Sequence, residues 1–449
     1  MECKVLSPTA ILGYGFPPES LEAGLERGPD LIGVDAGSTD PGPYYLGAGK
    51  SFTDPAAVRR DLRLILRGAV PRGIPVVVGS CGGAGAAPHL AGCLELVRAI
   101  AAADDLHFRL GVIPADIEKE MVHAAVAAGR TRPAGPLPPL NDATVEDAVR
   151  IVAQMGHEPI AEALKVGCDV VLCGRAYDPA VFAALPILRG FEPGLALHMG
   201  KILECAAIAA EPGSGADCVL GTLDETGFTL ESVSPERRFT RRSTAAHSLY
   251  EKSDPYHLAG PGGTIDLTGC RFEDAGEGRV RVEGSRFVAS DGYWIKLEGV
   301  RRAGFRTLCV AGTHDPVMIE GIDAILGEVR DQVSRRLAAD GVQAQVGFRL
   351  YGRSGVMGAR EPAPATGQNE LGIVIEATAP SQGGADTACS LTRSTLLHYG
   401  YAGRMSTAGN LAFPFSPSDI AMGEAYAFSI YHLMAVEGYG PFTAEVTDL

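Results

Sequence analysis

The sequence predicts an α/β protein in three parts: an N-terminal parallel α/β domain over residues 1–215, a β-rich insert over 216–304 and a C-terminal two-layer α+β sandwich over 305–449. Three observations predict it. Short apolar runs alternate with longer helix-like segments up to about residue 215, the rhythm of a parallel sheet with crossover helices. From 216 to 304 the chain breaks into short β-rich pieces separated by Gly, Asp and Pro. Beyond 305 a β-α-β-β-α order follows, which suits an open two-layer sandwich.

In the first part the strand candidates are Ala10–Leu12, Leu31–Val34, Ile74–Val78, Phe108–Ile113 and Val170–Leu172. Helices are expected at Pro55–Arg67, Ala86–Ala103, Ile117–Ala128 and Pro159–Val166. Proline and glycine crowd Arg132–Leu140, a surface excursion, before Asn141-Asp142-Ala143-Thr144 restarts the fold. The insert contains Gly278–Val282 and Tyr293–Leu297 as strands. In the last part come strand Thr307–Val310, helix Pro316–Leu337, strands Gln345–Tyr351 and Leu371–Ala377, and helix Gly384–Tyr399.

Composition narrows the function classes. At 449 residues, 46% hydrophobic and 21% charged, the chain can bury a large core in two or three domains. A net charge of −15 argues against nucleic acid and anionic membrane surfaces as partners. The cluster Arg237-Arg238-Phe239-Thr240-Arg241-Arg242 is a local exception, read first as a solvated charge run. No apolar run approaches the ~18 residues of a membrane span, and Met1-Glu2-Cys3-Lys4 does not open a signal peptide, so a cytoplasmic location is expected. Ten cysteines without CxxC pairs read as reduced thiols.

In an open parallel sheet, ligands bind beyond the carboxyl ends of the strands, so the loops after strands should share one rim. Four such loops are chemically loaded: 35–40, the glycine-dense turn 79–89, Pro114-Ala115-Asp116, and 173–178. The turn Gly79-Ser80-Cys81-Gly82-Gly83-Ala84-Gly85 with His89 is neither a dinucleotide fingerprint nor a P-loop, because both spacings are absent. Asp35 and Asp116 are candidate general bases, competing with a plain turn-pinning role. Cys81 is a candidate nucleophile or a small filler in a tight turn, with His89 as a possible partner. Ser80, Gly82, Gly83, Gly85, His89, Arg175 and Asp178 are candidate substrate-binding residues, the glycines through backbone N–H groups that could stabilise an oxyanion.

A second constellation is His198-Met199-Gly200-Lys201-Ile202-Leu203-Glu204-Cys205, from which His198 and Glu204 are catalytic candidates. His198, Glu204, Asp116 and His157-Glu158 offer N/O ligands for a divalent metal, but no HExxH or paired-cysteine spacing selects one, and no cofactor is predicted. A third group runs from His247-Ser248-Leu249-Tyr250-Glu251 through Asp254-Pro255 to Gly260-Pro261-Gly262-Gly263.

Taken together, the Gly79–Gly83 loop with Pro88-His89, the His198…Leu203-Glu204-Cys205 segment, Ala246–Glu251 with Asp254-Pro255, and Gly260-Pro261-Gly262-Gly263 resemble the acyclic terpene utilisation (AtuA-like) family. The resemblance covers about residues 8–430. It implies a link to catabolism of branched or unsaturated carboxylic acids or their thioesters, without implying one reaction. With the residues above, the leading expectation is a lyase, hydratase or isomerase working by acid/base chemistry on a small carboxylic acid or acyl-thioester. The alternatives are Cys81-dependent acyl transfer or hydrolysis, and a non-catalytic binding or scaffold subunit. A homo-oligomer is expected from the aromatic run Tyr426–Leu433.

Overall fold

A computed structural model describes residues 2–251, 253–362, 367–404 and 408–449. Two units divide the chain: Met1–Arg301 with Phe428–Leu449, and Arg302–Ala427.

In the first unit the elements run β1 (Cys3–Ser7), α1 (Pro18–Glu26), β2 (Leu31–Asp35), α2 (Pro43–Ala48), α3 (Pro55–Ala69), β3 (Val76–Gly79), α4 (Ala87–Asp104), β4 (Arg109–Ile113), α5 (Lys119–Ala127), β5 (Thr131–Pro133), α6 (Asp142–Asp147) and β6 (Ala148–Ala153). They continue α7 (Glu158–Lys165), β7 (Val170–Cys173), α8 (Asp178–Leu188), α9 (Pro193–Leu203), β8 (Val219–Leu223), β9 (Gly227–Ser232), α10 (Arg241–Ser248), β10 (His257–Gly260), β11 (Gly263–Asp266), β12 (Arg271–Asp274), β13 (Val280–Glu283) and β14 (Arg286–Ala289). Strand β15 (Tyr293–Thr313) then carries the chain into the second unit.

The large sheet has the order β12-β13-β9-β8-β1-β2-β3-β7-β4-β19, where β19 is Glu445–Asp448. Its centre, β1-β2-β3-β7-β4, is parallel throughout. The mixed α/β class expected from the sequence is therefore what forms. Alternation along the strands shows why: Val76 and Val78 enter one core cluster with Leu62, Ile65 and Val97, while Val77 enters the other with Phe182 and Met199. A strand buried on both faces reads as a continuous apolar run.

The expected first strand at Ala10–Leu12 is instead a turn, and the strand lies at Cys3–Ser7. The reason is a buried carboxylate: Asp61 of α3 accepts the N–H groups of Gly13 (2.8 Å) and Gly15 (2.9 Å), holding that stretch as a loop. The 216–304 stretch contributes whole strands to two sheets. Its strands β8, β9, β12 and β13 extend the large sheet antiparallel from β1, and β10-β11-β14 form a separate three-stranded sheet. Hydrogen bonds of β6 go to Leu297–Arg301 of β15.

In the second unit, β16 (Gln345–Tyr351) and β17 (Leu371–Ala379) pair antiparallel, and β17 pairs with Phe305–Thr313 of β15. Alternate β17 residues Leu371, Ile373, Ile375 and Ala377 bury against helices α12 (Ile322–Ala339) and α13 (Gln382–Leu397), a two-layer arrangement. The single helix expected at Pro316–Leu337 breaks at Gly321 into α11 (Pro316–Glu320) and α12. Strand β18 (Asp419–Val436) returns the chain to the first unit, where His432–Met434 pair with β5.

Candidate active site

Because β2, β3, β7 and β4 are parallel, their carboxyl ends lie side by side, with Asp35 opposite Gly79 and Ile113 opposite Cys173. The loops beyond them are zipped backbone to backbone. Ser80 donates its N–H to the Gly174 carbonyl (3.1 Å), Cys81 to Cys173 (3.0 Å), and Arg175 to Gly85 (3.1 Å). Gly85 must be glycine twice over: its φ is +65°, and a Cβ there would sit 2.2 Å from the Arg175 nitrogen. The glycine-dense turn is thus a buried wall that brings two strand ends into contact.

Arg175 is the hub of the rim and is almost completely buried. Its Nε donates to Glu298 (2.8 Å), and its Nη1 donates to Ser80 Oγ (3.0 Å), the Ala176 carbonyl (2.9 Å) and Asp178 (3.0 Å). The Gln154 amide oxygen accepts from Arg175 Nη2 (2.6 Å) and from Lys296 Nζ (3.2 Å). Lys296 closes the network on the other oxygen of Glu298 (2.8 Å). Burial alone would raise the Glu298 carboxyl; Arg175 and Lys296 outweigh it and hold it at about 2. Asp35 shows the opposite balance. It is buried beside Asp178, one carboxylate oxygen has no hydrogen-bond partner, and burial pushes its carboxyl well above the usual range despite Arg175.

The second charged pair comes from the end of α9. Lys201 and Glu204, one helical turn apart, are both buried and meet at 2.5 Å. Burial would lower the Lys201 ammonium, but Glu204 reverses this and raises it. Both residues line a cavity of about 480 Å³, together with Arg175, Tyr177 and Asp178 from the turn after β7. That volume lies within the usual range of small-molecule sites, roughly 300–1,000 Å³.

Strand periodicity builds the opposite wall. Trp294, Lys296 and Glu298 occupy alternate positions of β15 and so share a face; Trp294 and Lys296 line the cavity, while Glu298 is buried. Arg132 stacks over Trp294 at 4.1 Å, and Lys296 lies 4.7 Å from the Tyr431 ring centre. Gly260, Pro261 and Gly263 complete the lining. The Gly-Pro-Gly-Gly turn is needed there because a Cβ at Gly260 would fall 2.8 Å from the Tyr177 ring.

Of the residues anticipated from sequence, Arg175, Asp178 and Glu204 line this cavity. Ser80 holds Arg175 from behind, and Asp35 lies buried near Arg175, Asp178 and Glu204. The rest lie elsewhere. Cys81 is fully buried, and burial next to Cys93 pushes its thiol far up. His89 uses Nε2 on the carbonyls of Tyr45 (3.1 Å) and Lys50 (3.0 Å), and a Cβ on Gly82 would strike its side chain. Gly83 already donates its N–H to the Ser80 carbonyl (2.8 Å), so it is committed within the turn. Asp116 bonds the backbone of Ala87 at the start of α4, and burial raises its carboxyl. His198 is held between Ser285 (2.7 Å) and Ser248 (2.8 Å), edge-on to Phe228 and Phe272, and burial drives its imidazole down to about 3.

The N/O ligands considered for a metal are not gathered in one place: His157 lies 3.7 Å from Glu158, while Glu204 pairs with Lys201. Among the described residues no group of three or more His, Cys, Asp or Glu side chains could hold a metal ion. No helix among them is long and apolar enough to cross a membrane.

Sequence reasoning did not single out Lys296, Glu298, Gln154, Trp294 or Tyr431. The period-two pattern Trp294-x-Lys296-x-Glu298 in an expected strand was the available signal, since charged residues sharing one face with an aromatic mark a wetted wall. Lys201 stood in the second constellation, but its ion pair with Glu204 required the helix to be seen.

No curated protein and no solved structure matches the chain. Residues 54–413 match the model of the acyclic terpene utilisation family protein AtuA, a stretch that contains Ser80, Arg175, Lys201, Glu204, Lys296 and Glu298. Matched over most of its length, and with the charged cavity supplied chiefly by the matched stretch, this chain belongs to the acyclic terpene utilisation family.

Proposed function

We propose that the protein is a catabolic enzyme acting on branched or unsaturated carboxylic acids or their thioesters, of the lyase, hydratase or isomerase type, by proton transfer next to a carbonyl. The observation that carries this reading is the Lys201–Glu204 pair: a buried cation and a buried carboxylate 2.5 Å apart on the wall of a cavity of substrate size. A proton donor and a proton acceptor side by side on a cavity wall are the two groups that such reactions need.

The chemistry follows from this geometry. A substrate carbonyl oxygen entering beside Lys201 accepts a hydrogen bond from the ammonium. Glu204, released from its partner, takes the proton from the adjacent carbon; the C–H electron pair becomes the C=C bond of an enolate as the carbonyl π pair moves onto oxygen, whose charge the ammonium offsets. Lys296 supplies a further positive charge on the same cavity. Returning the proton to a different carbon gives isomerisation; expelling a β-hydroxyl, which takes the proton from Glu204 and leaves as water, gives dehydration, and the reverse gives hydration. Arg175 is occupied by protein acceptors, so it fixes Asp178, Ser80 and Glu298 while its charge contributes at a distance. The family's link to acyclic terpene utilisation supports branched, unsaturated acyl groups as the substrate class. The ten unpaired thiols favour a reducing, cytoplasmic setting for the enzyme.

The test is solvent exchange. Short branched and unsaturated acids and their coenzyme A esters are incubated with the protein in D2O, and loss of the α-proton signal is followed by NMR. Exchange or product formation is expected with at least one substrate, falling about a hundredfold or more in Lys201→Met and in Glu204→Gln. A ligand that binds by thermal shift yet neither exchanges nor turns over, or full rates in both variants, refutes the proposal.

A further inference from the structure

Lysine carries its charge on a flexible four-carbon stem, so a catalytic ammonium has to be held on more than one side. Glu204 holds Lys201 on one side. On another lies the ring of Tyr250, with Nζ 5.2 Å from the ring centre. Tyr250 follows α10 and is 45% exposed, so its ring contributes little to the core. Two contacts nevertheless fix it. Its ring stacks on His247 at 5.2 Å and 11°, and its hydroxyl bonds Glu251, which lines the cavity. Glu251 has φ of +60°, a conformation that non-glycine residues adopt at a cost, immediately after Tyr250. An exposed aromatic ring beside a buried ammonium, clamped by a stacked histidine and a strained turn, needs a reason that core packing does not provide.

We propose that Tyr250 is a positioning residue whose aromatic face, steadied by His247, holds the Lys201 ammonium at the cavity wall. The attraction is that of a cation for the negative face of an aromatic ring, and it is stronger where the cation is desolvated, as Lys201 is. His247 suits the supporting role because burial and the nearby Lys201 keep its imidazole neutral, with its titration driven down to about 4, so it adds no competing cation. The ring, not the hydroxyl, is the working part. The kinetic consequence rests on the proton-transfer reading above; the placement of the ammonium does not.

The full-length protein is labelled with [13Cε]lysine, and the Lys201 signal, one of only seven lysines, is identified by its absence in Lys201→Met. Ring current from Tyr250 is expected to place that signal upfield of the other lysines in the wild type and in Tyr250→Phe, and to leave it in the ordinary range in Tyr250→Leu. The α-proton exchange rate is expected to drop about tenfold in Tyr250→Leu, mainly in kcat, and to stay close to wild type in Tyr250→Phe. A Lys201 signal unmoved by Tyr250→Leu overturns the proposal. So does an equal rate loss in Tyr250→Phe, which would assign the effect to the hydroxyl bond with Glu251. Full exchange in both Lys201→Met and Glu204→Gln would overturn the proton-transfer reading instead, leaving the NMR signal to decide on the ring by itself.

Discussion

Replacing Glu298 with glutamine removes the one carboxylate that both Arg175 Nε and Lys296 Nζ reach, each at 2.8 Å, while keeping nearly the same shape. The cost is therefore electrostatic, and it can be reached by two routes. Removing one partner of a buried ion pair typically costs about 3–5 kcal/mol, because the remaining charge stays buried and uncompensated. Independently, a carboxyl held at about 2 in place of its ordinary 4.5 represents about 3 kcal/mol of linked stability. The sign follows from the folded value lying below the unfolded one: the stabilisation is complete above pH about 4.5 and is lost as pH falls toward 2. For a unit made of Met1–Arg301 and Phe428–Leu449, with an unfolding entropy of about 2 cal/mol/K per residue, a loss of 3 kcal/mol lowers Tm by about 4–5 °C. Differential scanning calorimetry at pH 7 and near pH 3 measures it. The deficit of Glu298→Gln should be full at pH 7 and markedly smaller at the acid pH. Equal Tm values at pH 7, or a deficit that does not shrink with acid, would show that Glu298 does not carry the paired charge.

Two further predictions concern residues with the opposite character. Burial raises the Asp35 carboxyl, so the folded state favours its protonated form and ionisation costs stability as pH rises from the unfolded value through the folded one. Asp35→Asn should therefore raise Tm at pH 8 and lose that advantage near pH 4; a lower Tm at pH 8 would count against the charge crowding with Asp178 and Glu204. Cys81, fully buried with its thiol pushed up, should resist iodoacetamide in the native protein, and Cys81→Ala should keep its exchange rate. A stoichiometric native adduct on Cys81 that abolishes activity would restore the nucleophilic reading.

Much of the fold was legible because its signals are local. The apolar runs at residues 31–34, 74–78 and 170–172 read as strands buried on both faces, and parallel strands in one sheet place their following loops on one rim. That argument located Asp35, Ser80, Arg175 and Asp178 near one another. It could not tell a lining residue from a bracing one. Ser80 and Arg175 share a loop cluster with Cys81 and His89, yet the first two brace the cavity and the others face the core or the carbonyls of residues 45 and 50. Backbone composition alone likewise made the glycines at 82, 83 and 85 look like donors for an anion. Gly85 instead lets the turn pack against the backbone of Arg175, Gly82 leaves room for the His89 side chain, and the Gly83 N–H bonds Ser80 within the turn, demands visible only once the neighbouring segments are placed.

By itself the sequence determined the α/β class and the parallel rim, since hydrophobic period and strand-end position are properties of neighbouring residues. The tertiary structure decided which charges meet. Arg175 and Glu298 are 123 positions apart, and Lys201 meets the ring of Tyr250 only because the ends of α9 and α10 converge. Whether burial or a counter-charge prevails at a buried carboxyl, lowering Glu298 but raising Asp35, depends on such distant partners, because the energy of a buried charge is set by what lies within a few ångströms of it and not by its place along the chain.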